Sequence, residues 1–293
     1  MGAGPKVSVS IVTYQQAGFV RQTVEAALSQ RTDFPFEVIV GDDASTDGTQ
    51  AVLREMREAA PDRLRLLLAE TNHGDSGLSN FMATVDASRG EYVAFCDGDD
   101  HWTSPLKLQR QVDFLDANPD CALCCHPVEH LFDDGRRLLS PRPTGGRTKL
   151  TAQDLWSVNY AEKIATVVRR SALGALPDWY RRTDAISADW VLAVLVARTG
   201  KVGFVHDPMA VHRLHAGSLT VRHGAERMLR DKARSLRILR PYFPGSGLAF
   251  ARARLVLALK LALVRMSPDG YQALKRAGGR GLGLGAPRAA RSR

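Results

Sequence analysis

Cysteine is scarce: 293 residues hold four, Cys96, Cys121, Cys124 and Cys125. So few thiols cannot staple a chain of this length, which excludes a disulfide scaffold and fits a reducing compartment. The run Cys121-Ala-Leu-Cys124-Cys125-His126, with His130 nearby, has the outline of zinc-ligand spacing. It lacks the second ligand pair that a structural zinc site uses, and in an apolar strand such thiols act as small core residues. No uncharged apolar run reaches the ~18 residues that a membrane span needs; Lys260 interrupts the most apolar stretch, residues 255–264. An apolar leader is also missing, because Met1-Gly2-Ala3-Gly4-Pro5-Lys6 passes straight into a strand-like segment. The expectation is a cytoplasmic product.

What is present is the balance of a folded protein, 44% hydrophobic and 24% charged, with the length of one large domain or two small ones. Charge is unevenly spread. Residues 1–221 hold 23 Lys/Arg and 28 Asp/Glu, residues 222–293 hold 17 and three, and the whole carries +9. A mildly acidic body thus bears a strongly basic end, which suits an anionic partner such as lipid headgroups as well as it suits a solvated helix.

Strand-like segments at residues 7–12, 36–40, 64–68 and 92–96 alternate with helical spacing at 19–29, from 49, and at 80–87. This is the βαβ order of a mostly parallel sheet. In such sheets ligands sit beyond the carboxyl ends of the strands, and two of those ends are acidic: Asp42-Asp43, and Asp97-Gly98-Asp99-Asp100. Crowded carboxylates repel unless a cation or a donor-rich ligand compensates them. Asp-x-Asp suits a hard divalent ion, Mg²⁺ or Mn²⁺, bridging to substrate phosphate.

After the acidic loop, Ser104 and Pro105 predict a helix start with Leu106, Val112 and Leu115 as its buried face. Farther on, residues 121–131 read as one strand, 140–149 as a flexible excursion and 188–198 as an amphipathic helix. Residues 201–206 and 209–214 read as strands, and 225–240 and 248–266 as basic helices. Leu255, Leu259, Ala262, Leu263 and Met266 share a helical face with Arg252, Arg254, Lys260 and Arg265 available at its flanks. That pattern fits an anionic membrane surface, and a helix packed on the catalytic domain would show the same one.

Three runs carry a resemblance: Val9-Ser10-Ile11-Val12-Thr13-Tyr14, then Val40-Gly41-Asp42-Asp43-Ala44-Ser45-Thr46-Asp47-Gly48-Thr49, then Gly90-Glu91-Tyr92-Val93-Ala94-Phe95-Cys96-Asp97-Gly98-Asp99-Asp100. In this order, with His101-Trp102-Thr103-Ser104-Pro105 following, the chain resembles glycosyltransferase family 2, over about residues 7–220. The resemblance implies the α/β GT-A fold: a Rossmann-like nucleotide half with a mostly parallel sheet joined to a mixed acceptor half, followed here by basic helices. With the charge boundary at 221–222 and the glycine-rich composition of the end, the expected division is a catalytic domain at 1–221 (nucleotide-sugar half 1–118, acceptor half 119–221), a helical extension at 222–277 and a disordered basic tail at 278–293.

Carried over residue by residue, the resemblance implies that Thr13 and Tyr14 line the base and ribose. Asp43 accepts a hydrogen bond from the base, favouring a UDP- or dTDP-linked sugar. Asp99 and His215 ligate Mn²⁺ or Mg²⁺, with Asp97 beside them or nearer the ribose, Arg213 meets phosphate, and Asp189 is the catalytic base. The implied reaction is inverting transfer of a sugar to an acceptor hydroxyl, in polysaccharide, glycolipid or glycosylated-product synthesis. The implied setting is the cytoplasm, with attachment to the inner membrane face through residues 248–266. The sequence departs from the family at Leu78-Ser79, where a basic residue commonly precedes the asparagine matching Asn80; Arg89, Lys107 and Arg213 are candidate replacements. A sugar-phosphate nucleotidyltransferase is the nearest rival, but the loop Thr13–Gly18 has no cation to cradle a triphosphate. A non-catalytic module docking on nucleic acid is disfavoured by the few aromatics of the basic end.

Overall fold

The computed structural model describes residues 4–267; the last part of the expected extension and the tail at 278–293 lie outside them. In chain order the regular elements are β1 (Val7–Thr13), α1 (Val20–Leu28), β2 (Phe36–Asp42), α2 (Thr49–Ala59), β3 (Leu64–Leu68), α3 (Leu78–Ala87) and β4 (Tyr92–Asp97). Next come β5 (His101–Trp102), α4 (Lys107–Ala117), β6 (Cys121–Cys125), β7 (Glu129–Phe132), β8 (Arg137–Leu139) and β9 (Lys149–Leu150). The chain continues through α5 (Ala152–Ser157), β10 (Val167–Arg169), α6 (Arg170–Leu173), α7 (Ala188–Val196), β11 (Lys201–Phe204) and β12 (Ala210–Leu214), and ends in α8 (Leu219–Leu239) and α9 (Gly247–Met266).

Eight strands form one sheet in the order β3-β2-β1-β4-β10-β6-β11-β9. The first four run parallel, and β10 enters antiparallel between β4 and β6. A smaller sheet, β5-β12-β7-β8, stands beside it. The βαβ expectation is therefore met, and the register puts Thr13 opposite Asp42 and Val12 opposite Asp97. Three strand ends thus share one edge, which is where the loops of a site must meet.

The core is continuous through both halves. Strand β1 alternates apolar and polar residues, and its serines Ser8 and Ser10 are as fully buried as their apolar neighbours. Helices cover that face too, and the hydroxyls are satisfied internally, Ser8 donating to Glu37 at 2.8 Å and Ser10 pairing with Thr84 at 2.6 Å. A buried hydroxyl without such a partner would destabilise the strand by ~1–3 kcal/mol.

Several expectations are corrected. Residues 121–131 are two strands in different sheets, because β6 lies in the large sheet and β7 in the small one. Leu106 is exposed, and the buried face of α4 is Leu108, Val112 and Leu115; the helix starts at Lys107, with the Leu106 amide reaching back to Ser104 Oγ at 3.3 Å. The segment read as an amphipathic helix, α7, is enclosed on all sides, with every residue from Trp190 to Val196 buried; a helix apolar all round belongs inside a core. Helix α8 begins at Leu219, upstream of the expected 225, with a break at Gly224 (φ 69°, ψ 163°).

Candidate active site

Two loops at the sheet edge are laced together before any ligand enters. Gln15 and Ala44 hold the left-handed backbone, φ 55° and 62°, which side chains other than glycine adopt only under local constraint. The constraint is visible. The Gln15 amide donates to Ser45 Oγ at 2.8 Å, and Gln15 Oε1 accepts from the amides of Thr46 and Asp47. Asp42 fastens its own turn by accepting from the Ser45 amide at 2.9 Å and Gln50 Nε2 at 2.7 Å.

That division of labour leaves Asp43 for another purpose. Its buried carboxylate accepts from Asn72 Nδ2 at 2.9 Å and the His73 amide at 3.2 Å, and pairs with His73 Nδ1 at 2.5 Å. The hydrogen bond to Asp43 raises the His73 pKa above the ordinary range. Neither histidine nor asparagine was anticipated here, since both come from the loop after β3. Thr13 is buried, with its hydroxyl donating to Gln16 Oε1 at 2.8 Å, whereas Tyr14 stands half exposed. Arg21, the first cation after β1, is paired with Glu55 on α2 at 2.7 Å.

The loop after β4 is anchored from three directions. The Gly98 amide donates to Val12 O at 2.8 Å, the Asp100 amide to Asp97 O at 3.0 Å, and the Thr23 hydroxyl to Gly98 O at 2.9 Å and Asp100 O at 2.5 Å. Glycine is required at 98 by close approach: a Cβ there would lie 2.5 Å from Gln16 Oε1 and 2.7 Å from Thr13 Oγ1.

Each aspartate of this loop meets a different partner. Asp97 Oδ1 is 2.6 Å from Lys163 Nζ. Asp99 Oδ2 is 3.0 Å from His215 Nε2. Asp100 is buried and accepts from the Arg213 amide at 2.8 Å. The Arg213 guanidinium donates to Asp99 O at 2.5 Å and to Gln22, lying over the Phe19 ring at 5.2 Å; the His215 ring packs against Phe19 as well. Strand β12 and the turn after it are thus bolted to the acidic loop.

Behind the loop lies a charged seam. Glu162 accepts from His130 Nε2 at 2.9 Å and His212 Nδ1 at 3.2 Å, and these three are the one group of three metal-capable side chains close enough to share an ion among the described residues. Burial opposes charge on His212, but Asp100 and Glu162 together raise its pKa to about 10. Burial, reinforced by Asp99 and Asp97, likewise pushes the Asp100 carboxyl far up, against the opposing pull of His212. Both groups therefore bind protons more tightly than usual. His101 moves the other way, down to about 4, through burial and the positive charge of Arg213.

Asp189 sits in the first turn of α7, half-buried. Burial raises its pKa; Lys232 and the Trp190 amide oppose the shift, and the charges of Asp97 and Lys163 also reach it, with opposite signs. The turn is tied to α8 by the Ser187 amide donating to Asp231 Oδ2 at 3.0 Å.

The structure therefore brings together Thr13, Asp97, Asp99, Arg213 and His215, with Asp43 on the neighbouring loop and Asp189 within electrostatic range. Two candidates for the missing cation fail. Arg89 pairs with Glu37 at 2.6 Å near the start of β2, the opposite end of the strand from the site. Lys107 is fully buried under the Trp102 ring, its Nζ 4.1 Å from the ring centre, without a hydrogen-bond acceptor. Lys163 was missed. It stands in a 3-10 turn, Lys163–Ala165, with Nζ 4.8 Å from the ring centre of Phe81, the residue after Asn80. No local pattern marks it; only the insertion of β10 beside β4 carries it to the site. Asn80 itself is structural, donating to Gly41 O at 2.9 Å.

The donor set fits a divalent ion. A carboxylate oxygen and an imidazole nitrogen, Asp99 Oδ2 and His215 Nε2, face each other at the strand-end edge; the carboxylate suits Mn²⁺ or Mg²⁺ beside phosphate, and the imidazole suits a transition metal better than Mg²⁺.

The family profile described as "Glycosyl transferase family 2" matches residues 8–176. An uncharacterized Mycobacterium tuberculosis protein, Rv1520, is 36% identical over 211 residues, covering 72% of this chain, which spans 59% of that protein's length. Among solved structures, Staphylococcus aureus TarS in complex with UDP-GlcNAc superposes with TM-score 0.65 at 19% identity, covering 95% of this chain and 76% of that one. The mannosyltransferase PcManGT from Pyrobaculum calidifontis, in complex with GDP-Man and Mn²⁺, gives 0.61 at 21% identity, covering 94% and 80%. The fold is the GT-A fold of these transferases.

Proposed function

Because the chain belongs to glycosyl transferase family 2, we propose that it moves a sugar from a nucleoside-diphosphate sugar to an acceptor hydroxyl by a single inverting displacement. The observation that carries this reading is the meeting of Asp97, Asp99 and His215 at one sheet edge, with Asp189 close enough to feel the charge of Asp97. Asp43 retains lone pairs for the N3–H of a uracil or thymine base, so a UDP- or dTDP-linked donor is favoured. The TarS complex with UDP-GlcNAc supports a donor of that class. Thr13 and Tyr14 flank the base and ribose.

Asp99 and His215 would hold Mn²⁺ or Mg²⁺, while Asp97, engaged by Lys163, faces the ribose side. When bound, the ion offsets charge on the leaving diphosphate. Lys163 and Arg213 add fixed positive charge on the same side, which favours departure of an anion. Asp189 takes the proton of the acceptor hydroxyl. The acceptor oxygen bonds to the anomeric carbon as the carbon–oxygen bond to the diphosphate breaks, and the electron pair leaves with the diphosphate. The raised pKa of Asp189 suits this role, since it makes the carboxylate a stronger base towards that proton. Attachment to an anionic membrane surface through residues 248–266 belongs to the same proposal, and no helix among the described residues is long and apolar enough to cross a membrane.

The test is a screen of nucleotide sugars for binding and slow hydrolysis with Mn²⁺ and with Mg²⁺. Binding of a uridine or thymidine diphosphate sugar that weakens in Asp43→Ala supports the reading. Failure of every nucleotide sugar to bind with either ion overturns it.

A further inference from the structure

Two histidines stand side by side where the small sheet pairs β12 with β7 in parallel. The register sets His212 directly opposite His130, so both side chains leave the same face of the sheet. Their rings meet edge to face, with centres 5.4 Å apart. Glu162 completes the group from another segment, as the residue that precedes the Lys163–Ala165 turn. Its backbone is already pinned, because its carbonyl accepts from the Ala165 amide at 2.9 Å and the Thr166 hydroxyl at 2.7 Å. Its carboxylate accepts from both imidazoles, His130 Nε2 at 2.9 Å and His212 Nδ1 at 3.2 Å. The side chains of His130, Glu162 and His212 are 20%, 14% and 27% exposed, which leaves the group open to solvent on one side.

Two imidazoles and one carboxylate make the donor set of an open zinc site, with a fourth position left for water. Bonds of about 2.0–2.1 Å in a tetrahedron put neighbouring ligand atoms roughly 3.4 Å apart. The contacts of 2.9 and 3.2 Å need only a small outward movement to reach that spacing, and the two histidine nitrogens lie within 4.8 Å of each other. The negative field that holds a proton on His212 attracts a dication for the same reason, and the ion takes the place of the imidazole protons. The cysteines close to His130 in sequence do not contribute. Cys121, Cys124 and Cys125 are buried on β6, in the large sheet, and among the described residues no cysteine joins a group of three ligands.

We infer that His130, Glu162 and His212 form a second metal site, one for zinc or a like transition ion, separate from the pair Asp99 and His215. Magnesium is a poor occupant, since it takes oxygen ligands in octahedral geometry, whereas imidazole suits zinc. Filled, the site is a clamp that joins β7, β12 and the segment entering β10. Each arm of the clamp continues to the sheet edge in front of it. His212 stands three residues before His215, which meets Asp99, and Glu162 directly precedes Lys163, which holds Asp97. The site shares no residue with the proposed donor site and does not depend on the transfer reading.

The experiment is zinc calorimetry on the full chain after chelator treatment, using as parent the variant Asp99→Asn with His215→Ala, which lacks the donor-side pair. The parent should take up one zinc per chain, and zinc should raise its melting temperature. Adding His130→Gln or, separately, Glu162→Gln should weaken zinc binding by roughly 100-fold or more and remove that rise. Glu162→Gln keeps the shape of the side chain, so its melt without zinc reports whether the fold persists. X-ray absorption at the zinc edge of the loaded parent should show nitrogen and oxygen neighbours and no sulfur. No zinc uptake by the parent, sulfur beside the zinc, or unchanged uptake in either added variant each overturns the site. Nucleoside-diphosphate binding with Mn²⁺ is measured on wild type in parallel. Its absence together with zinc uptake overturns the transfer reading and leaves the metal site, and its presence without zinc uptake does the reverse.

Discussion

Lys163 Nζ lies 2.6 Å from Asp97 Oδ1, joining two residues 66 positions apart in the chain. The pair brings the cation that α3 lacks to the mouth of the proposed donor site from a different segment. Lys163→Met should weaken binding of a nucleoside diphosphate by roughly tenfold, the value of one charge-assisted contact, as measured by calorimetry with Mn²⁺. An unchanged dissociation constant would remove Lys163 from the donor site.

Asp189→Asn should lower kcat by ~10²–10⁴, the usual contribution of a general base, while donor binding changes less than about twofold. The pH profile carries a sign. Burial raises the Asp189 pKa above the ordinary carboxylate value, so the base loses its negative charge, and activity falls, at a higher pH on acidification than for a solvated aspartate. An acid limb at the solvated value, or a fully active Asn variant, contradicts the assignment.

Lys107 offers a stability prediction independent of catalysis. Its pKa is driven by burial from 10.5 down to about 7, despite the Trp102 face beside it. Between those values the unfolded chain holds a proton that the folded protein lacks, so stability rises as pH rises from about 7 towards about 10.5. Lys107→Met should flatten that slope and raise stability at neutral pH, by at most about 5 kcal/mol from the size of the shift. Thermal melts of both proteins at neutral and alkaline pH check it; parallel pH curves would mean that Lys107 keeps its charge in the folded state.

Gly98→Ala probes the loop geometry. The added methyl meets Gln16 and Thr13 at under 3 Å, so the loop must shift at a cost of about 1–3 kcal/mol. Donor binding should fall at least tenfold while the melting transition stays cooperative. Wild-type donor affinity in this variant would mean that the loop does not shape the pocket.

Much of this was legible beforehand where the signal is local. The first four strands and their helices follow from short-range periodicity, and the loop carrying Asp97 and Asp99 stands out because acidic residues cluster at a strand end. Residues 121–131 were harder, since a strand that changes sheets looks continuous to any local pattern. Helix α7 was misread as amphipathic because Asp189 and Arg198 near the ends of the expected span 188–198 supply charge, whereas every residue from Trp190 to Val196 is enclosed. The exposed Leu255, Leu259 and Met266 of α9 were visible as a helical face, but the meeting of His130 and His212 needed the pairing of β7 with β12.

The amino-acid order alone determined the βαβ architecture, the acidic edge and the basic end, because backbone hydrogen bonding and burial act over a few residues and leave a period in the sequence. Tertiary structure alone decided which nitrogen side chain meets which carboxylate: Lys163 for Asp97, His215 for Asp99 and His73 for Asp43. Those pairs depend on strand order and loop path, and a contact across such distances along the chain has no counterpart in local spacing.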